Sequence, residues 1–285
     1  MAIIATILIV LAGACSTVSV SISAPQSVAV STATPFPLSY GSLGRVLTSD
    51  NWAGYVVSNN LPGQSLPRRQ RPGQRPPSGI GNNPGSNSGV VSDVQAQWVV
   101  PTVTCGTADT YSAVWVGIDG ETDGTVEQVG TGADCSKGQP DYYAWFEIFP
   151  RPSQDLSQFV VNPGDSVSAD VQYGGAGVFN LTLQDLTTKQ VFKVSRTNLR
   201  ALRQSAEWVV EAPANQNNQV LPLADFSPTT FSQAQATIND QRCAIAQCAW
   251  SHSALVMENT SGKVRAYPSP LGTNGTSFSV DWHAS

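Results

Sequence analysis

From Asn51 onward the chain is a succession of short runs rich in Val, Trp, Tyr, Phe and Thr, each broken by Gly, Pro, Asn or Asp. Such runs fit half-buried strands, and the breaking residues are those that turns require. No long amphipathic helix is evident; residues 196–205 could hold one short polar helical turn. The pattern therefore predicts an all-β chain built as a sandwich or a barrel. With 285 residues and 41% hydrophobic content, it can bury a substantial core in one large domain.

Charge narrows the partners. Charged residues make up 12% of the chain, about half the usual ~25%, and the formal net charge is −5. Nucleic acid is thereby disfavoured. In strong acid the carboxylates are neutral, leaving only 15 Lys and Arg and two His charged. A compact state with so few like charges resists acid unfolding. The same composition also suits any secreted protein with a Ser-, Thr- and Asn-rich surface.

Residues 1–22 read as an export segment. Ile3 to Ala14 is an apolar run too short to span a bilayer comfortably, although Arg45 is the first basic residue. Leu11 to Cys15 resembles a bacterial lipobox, which makes Cys15 a candidate for lipid attachment and the cell surface an alternative to free secretion. Residues 23–48 read as a low-complexity tether or short propeptide, and 49–285 as the functional domain. Residues 59–90 interrupt its first hairpin with Pro, Gly, Asn and an Arg cluster at Arg68, Arg69, Arg71 and Arg75, predicting a disordered surface insertion. Setting Cys15 aside leaves Cys105, Cys135, Cys243 and Cys248, enough for two disulfides in an exported chain. Of the three connectivities, proximity in sequence favours Cys105 with Cys135 and Cys243 with Cys248. Neither pair has Cys-x-x-Cys spacing, and His252 and His283 lack zinc-ligand spacing, so no metal is expected.

Five segments carry the chemistry: Asn51–Gly54, Trp115–Gly120, Val126–Gly130, Tyr143–Glu147 followed by Pro150, and Ala206–Glu211. Because side chains alternate across a strand, Glu207, Val209 and Glu211 share one face, as do Trp145, Glu147 and Phe149, and Trp115, Gly117 and Asp119. Aromatic rings and carboxylates gathered on one surface suit a groove better than a dry core.

Taken in order, these segments resemble the eqolisin family of glutamic endopeptidases. The resemblance implies a two-sheet antiparallel β-sandwich of the concanavalin A or lectin-like kind, with substrate across its concave sheet. It places Gln128 and Glu211 as the catalytic pair. Glu211 would take a proton from water and return it to the leaving amine, while the Gln128 amide orients the water and stabilises the oxyanion. Trp52, Trp115, Asp119, Trp145, Glu147 and Glu207 would support that pair or bind substrate. The implied protein acts in acid on polypeptides, as a monomer, with no cofactor, no nucleic acid and no integral membrane partner. Two positions depart from the family pattern: Tyr143 stands where an Asp is expected, and the acidic residue after Gln128 is displaced to Asp134.

Two other readings remain open on sequence. A lectin-like module binding carbohydrate or protein without catalysis also carries Trp and acidic residues on a concave face. A glycosidase could use two of Glu147, Glu207 and Glu211, given carboxyls about 5–9.5 Å apart. A Ser-His-Asp triad fits poorly, since neither His252 nor His283 lies near a Gly-x-Ser-x-Gly elbow.

Overall fold

A computed structural model describes Leu43 and residues 45–58, 90–121 and 123–283. The export segment, Cys15, most of the tether and all of the insertion except Val90 lie outside the described residues. Eighteen strands occur among the described residues. The first nine are β1 (Val46–Ser49), β2 (Trp52–Ser58), β3 (Val91–Val99), β4 (Val103–Thr104), β5 (Ala113–Ile118), β6 (Val126–Ser136), β7 (Gln139–Phe149), β8 (Gln154–Asp155) and β9 (Ser166–Gly175). The remainder are β10 (Val178–Asp185), β11 (Val191–Thr197), β12 (Ser205–Glu211), β13 (Asp225–Phe226), β14 (Thr229–Ile238), β15 (Gln241–Ala244), β16 (Ser251–Glu258), β17 (Val264–Pro268) and β18 (Phe278–Trp282).

The strands form a two-layered sandwich. One layer runs β11-β10-β9-β3-β14 and the other β16-β2-β12-β5-β6-β7-β8; β18 and β17 join them along one edge, so the hydrogen-bonded path is continuous. β3 lies over β5 and β12, while β9 and β10 cover β6. Pairing is antiparallel throughout, except that β1 runs parallel to β16. A small separate sheet pairs β4 with β13.

Alternation decides what goes between the layers. Tyr55, Val57, Val114, Val116, Phe146, Trp208 and Val210 point inward against Val94, Trp98, Val171, Leu181 and Phe231. Their alternate neighbours Trp52, Val56, Trp115, Trp145 and Val209 form a second apolar cluster on the outer face of the same sheet. β5 is consequently buried on both faces along its whole length, although it belongs to a sheet with only one partner layer.

The short helical turn considered for residues 196–205 does not form. Leu199 and Arg200 make a turn followed by extended chain. Two side chains account for this: Asn198 donates through Nδ2 to Glu127 at 2.7 Å, and the Asp119 carboxylate accepts the backbone N–H groups of Arg203 and Gln204 at 2.7 and 2.6 Å. Donors committed to carboxylates are withdrawn from a helical ladder. Disulfides join Cys105 to Cys135, with Cα atoms 5.4 Å apart, and Cys243 to Cys248. Both are the pairings expected from proximity.

Candidate active site

Register assembles the site from five neighbouring strands, β2, β12, β5, β6 and β7. Glu211 on β12 stands opposite Trp52 on β2 and Ala113 on β5. Two positions along, Val209 stands opposite Trp115, which in turn faces Gly130 and then Trp145. Two further along, Glu207 faces Gly117, then Gln128, then Glu147. All these positions share the outer face of the sheet.

Glycine at 117 makes the middle of this face possible. A Cβ there would sit 2.9 Å from Cζ3 of the Trp115 indole and 3.2 Å from the Gln128 Cβ. Without it, the Trp115 ring lies against the strand and directs Nε1 to Glu211.

Glu211 accepts that Trp115 N–H on Oε2 at 2.8 Å and the Asn51 amide on Oε1 at 2.9 Å. Asn51 is itself 5% exposed and is steadied by Ser49, whose Oγ accepts the backbone N–H groups of Asn51 and Trp52. The Trp52 indole packs edge-on to Trp115, with centroids 5.0 Å apart. Its N–H lies close enough to favour the carboxylate but closes no hydrogen bond within normal geometry. Burial nevertheless dominates: it pushes the Glu211 carboxyl up to about 8, aided by the charge of Glu147 and opposed by the three N–H groups. Glu211 retains partial solvent contact all the same.

Gln128 donates from Nε2 to Glu147 Oε2 at 2.6 Å. This contact orients the amide, and its Oε1 is buried without a partner. Glu147 is raised by burial to about 7 and held down by the Gln128 bond. The indole N–H groups of Trp52 and Trp145 are likewise buried and unpaired on this face. An amide oxygen and two N–H donors beside two carboxyls can pair with the alternating acceptors and donors of an extended peptide.

The two remaining expected residues, Glu207 and Asp119, make no hydrogen bond to Glu211, Gln128 or Glu147. Glu207 shares the face with Glu211 but is 0% exposed, and neither of its oxygens makes a hydrogen bond. Burial, then the charges of Asp119, Glu121 and Asp123, raises its carboxyl well above the ordinary range. A glycosidase built on Glu207 would have no route to a sugar. Asp119 leaves the strand, which ends at Ile118, with φ of 71°, and its carboxylate pins the 203–204 backbone instead of bonding to the other site residues. Asn51 belongs to the Asn51–Gly54 segment, but nothing in the sequence marks it as a partner of Glu211; only the pairing of β2 with β12 brings residues 160 apart into contact.

The two departures turn out to be one unit. Tyr143 stands opposite Gly132, and a Cβ on that glycine would lie 2.1 Å from the ring's Cζ. The phenol crosses that gap and donates to Asp134 Oδ2 at 3.0 Å, while Asp134 Oδ1 accepts the backbone N–H of Ser112 at 3.1 Å. The displaced carboxylate and the unexpected tyrosine are hydrogen-bond partners.

A profile of the Peptidase A4 family matches residues 79–275. The chain belongs to the peptidase A4 family. This peptidase A4 chain is 33% identical over 130 residues to aspergillopepsin-2 of Aspergillus niger, covering 44% of this chain and 46% of that protein. It is 33% identical over 153 residues to scytalidopepsin B of Scytalidium lignicola, covering 50% and 58%. The alignments thus span about half the length of these curated relatives. Among solved structures, scytalido-glutamic peptidase with a transition state analog inhibitor superposes with a TM-score of 0.62 at 23% identity, covering 82% of this chain and 98% of that one. Aspergilloglutamic peptidase from A. niger gives 0.54 at 27%, covering 61% and 99%. The eqolisin resemblance and the sandwich fold both stand.

Proposed function

We propose that this chain is an exported endopeptidase acting on polypeptides in acid, with Glu211 and Gln128 as its catalytic pair and no cofactor. The observation carrying this reading is that hydrogen bonds fix both side chains on one face of the same sheet. Glu211 holds both oxygens against N–H donors, while Gln128, bonded to Glu147, keeps a buried unpartnered oxygen on the same face of the sheet. Family membership supports the reaction class, and two disulfides suit an oxidising compartment.

The raised carboxyl refines the order of proton transfers. With its titration lifted to about 8, Glu211 is the neutral acid at low pH. One oxygen gives its proton to the scissile carbonyl oxygen as the other takes one from the attacking water, which Gln128 Oε1 holds. The second N–H of Gln128 stabilises charge developing on the carbonyl oxygen. The resulting gem-diol then collapses: Glu211 protonates the departing nitrogen and recovers a proton from a hydroxyl, leaving the carboxylic acid it started as. Base-first catalysis would require ionised Glu211 and would gain rate toward neutrality.

The test is digestion of denatured casein by purified protein across pH. Glu211→Gln and Gln128→Ala should each lower turnover by at least ~100-fold. Wild-type kcat/KM should hold through the acid range and fall as pH approaches the Glu211 titration. Undiminished digestion by folded Glu211→Gln protein at pH 4 would sink the assignment; a rate climbing steadily from pH 4 to neutrality would restore base-first order. Reducing sugar released from polysaccharides, or glycan binding without proteolysis, would replace the peptidase reading altogether.

A further inference from the structure

On the other layer from the site, one edge of the sandwich concentrates positive charge. Residues 186–206 contain Lys189, Lys193, Arg196, Arg200 and Arg203 and no Asp or Glu. Five of the chain's 15 basic residues therefore fall on a single strand and its flanking turns, in a protein of net charge −5. That strand is β11, the outermost of its layer, paired with β10.

The edge is also apolar where it need not be. Val191 is 52% exposed at the start of β11, and beyond its end Leu199 and Leu202 are 81% and 51% exposed on either side of the exposed Arg200. Arg196 lies over the Phe146 ring and Arg203 over Tyr173, so these two also serve packing within the domain. Lys193 and Arg200 are exposed. A lysine on an edge strand is often enough explained as a guard against strand pairing between molecules. That account covers Lys193 but offers no reason to place two leucines in water beside an arginine.

We propose that the β11 edge and the 198–203 turn are a peripheral docking surface for an anionic lipid membrane. Leu199 and Leu202 enter the interfacial layer, and Lys193 and Arg200 sit at the level of the lipid phosphates. The chemistry selects this occupant: basic side chains alone would suit any polyanion, but bulky aliphatic tips between them gain free energy only where they leave water. Each basic side chain held near an anionic leaflet contributes roughly fivefold to partition. Docking of this kind is peripheral, and needs no spanning segment.

The experiment compares partition of the full chain into phosphatidylcholine vesicles with and without about 30% phosphatidylglycerol at low salt. Residues 1–44 carry no charged side chain, so whatever affinity they contribute cancels in the anionic-to-neutral ratio. Wild type should show a ratio well above one that collapses in high salt. Lys193→Ser with Arg200→Ser should lower that ratio at least tenfold. Leu199→Ser with Leu202→Ser should lower partition into anionic vesicles several-fold at unchanged net charge. Circular dichroism and casein digestion should be preserved in both pairs. A wild-type ratio of one would overturn the proposal, as would a ratio indifferent to both substitutions. So would loss confined to replacement of Arg68, Arg69, Arg71 and Arg75 by Ser, which would move the contact to the insertion. Retention on a heparin column that the leucine substitutions leave unchanged, without vesicle binding, would assign the edge to an anionic polysaccharide instead.

Discussion

Glu127→Gln isolates how burial couples this fold to pH. Glu127 points between the two layers, is 0% exposed, accepts from Asn198 on Oε1 and leaves Oε2 unpaired. Burial first, then the charge of Asp119, raises its carboxyl from 4.5 to about 9. The folded state therefore keeps a proton that the unfolded chain releases near 4.5. Its stabilising effect is complete below that pH and is lost progressively as pH rises toward 9. Each pH unit in that window costs about 1.4 kcal/mol, or about 3 kcal/mol between pH 4.5 and 7. Glutamine keeps the acceptor for Asn198, removes the titration, and costs about 1 kcal/mol for the amide N–H groups it buries. At pH 4 the variant should be slightly less stable than wild type; at pH 7 it should be more stable. The difference between the two conditions should be about 3 kcal/mol, or roughly 6–12 °C in Tm for a domain of this size. Thermal unfolding followed by circular dichroism at both pH values measures it. A Tm difference that stays the same at pH 4 and pH 7 would show that Glu127 does not hold its proton, and the reasoning from burial would fail.

Gly132→Ala should destabilise by about 1–3 kcal/mol because its Cβ meets the Tyr143 ring, and Tyr143→Ala in the same chain should relieve most of that cost; a double-mutant cycle from chemical denaturation reads the coupling. Asn51→Ala removes a donor that favours ionised Glu211, so the alkaline limb of kcat/KM should move to higher pH while turnover falls several-fold; an unmoved limb would separate Asn51 from the titrating group. Replacing Cys105 and Cys135 by Ser opens a loop closed over a sequence separation of 30 and should cost about 3–4 kcal/mol, seen as a lower denaturant midpoint with a larger m as the unfolded chain expands. Peptide mapping of unreduced protein that linked Cys105 or Cys135 to Cys243 or Cys248 would contradict both the pairing and this magnitude.

Much of the site face could be read from the chain alone because strand direction is a local property. A period of two suffices to place Glu207, Val209 and Glu211 together, and to put Trp145 beside Glu147, whatever the strands later pack against. Disulfide pairing was equally local, since each cysteine's nearest partner in sequence is also its partner in space. Accessibility was not local. Glu207 and Glu211 have the same parity and similar neighbours, yet one is sealed off and the other keeps partial solvent contact at the end of β12. Depth depends on what lies along the strand and across the sheet, which alternation cannot report. The same limit hid Asn51, whose amide reaches Glu211 through a strand pairing that spans most of the domain. It hid Glu127 too, an acidic residue in a valine-rich strand that nothing marked as inward-facing until β9 and β10 closed over β6. Tyr143 looked like a lost carboxylate until register set it over a glycine and within reach of Asp134. Sequence thus determined which side chains share a surface, through backbone geometry repeated every two residues. Only the tertiary structure decided which of them keep water, which keep protons, and which touch, because those depend on residues far along the chain.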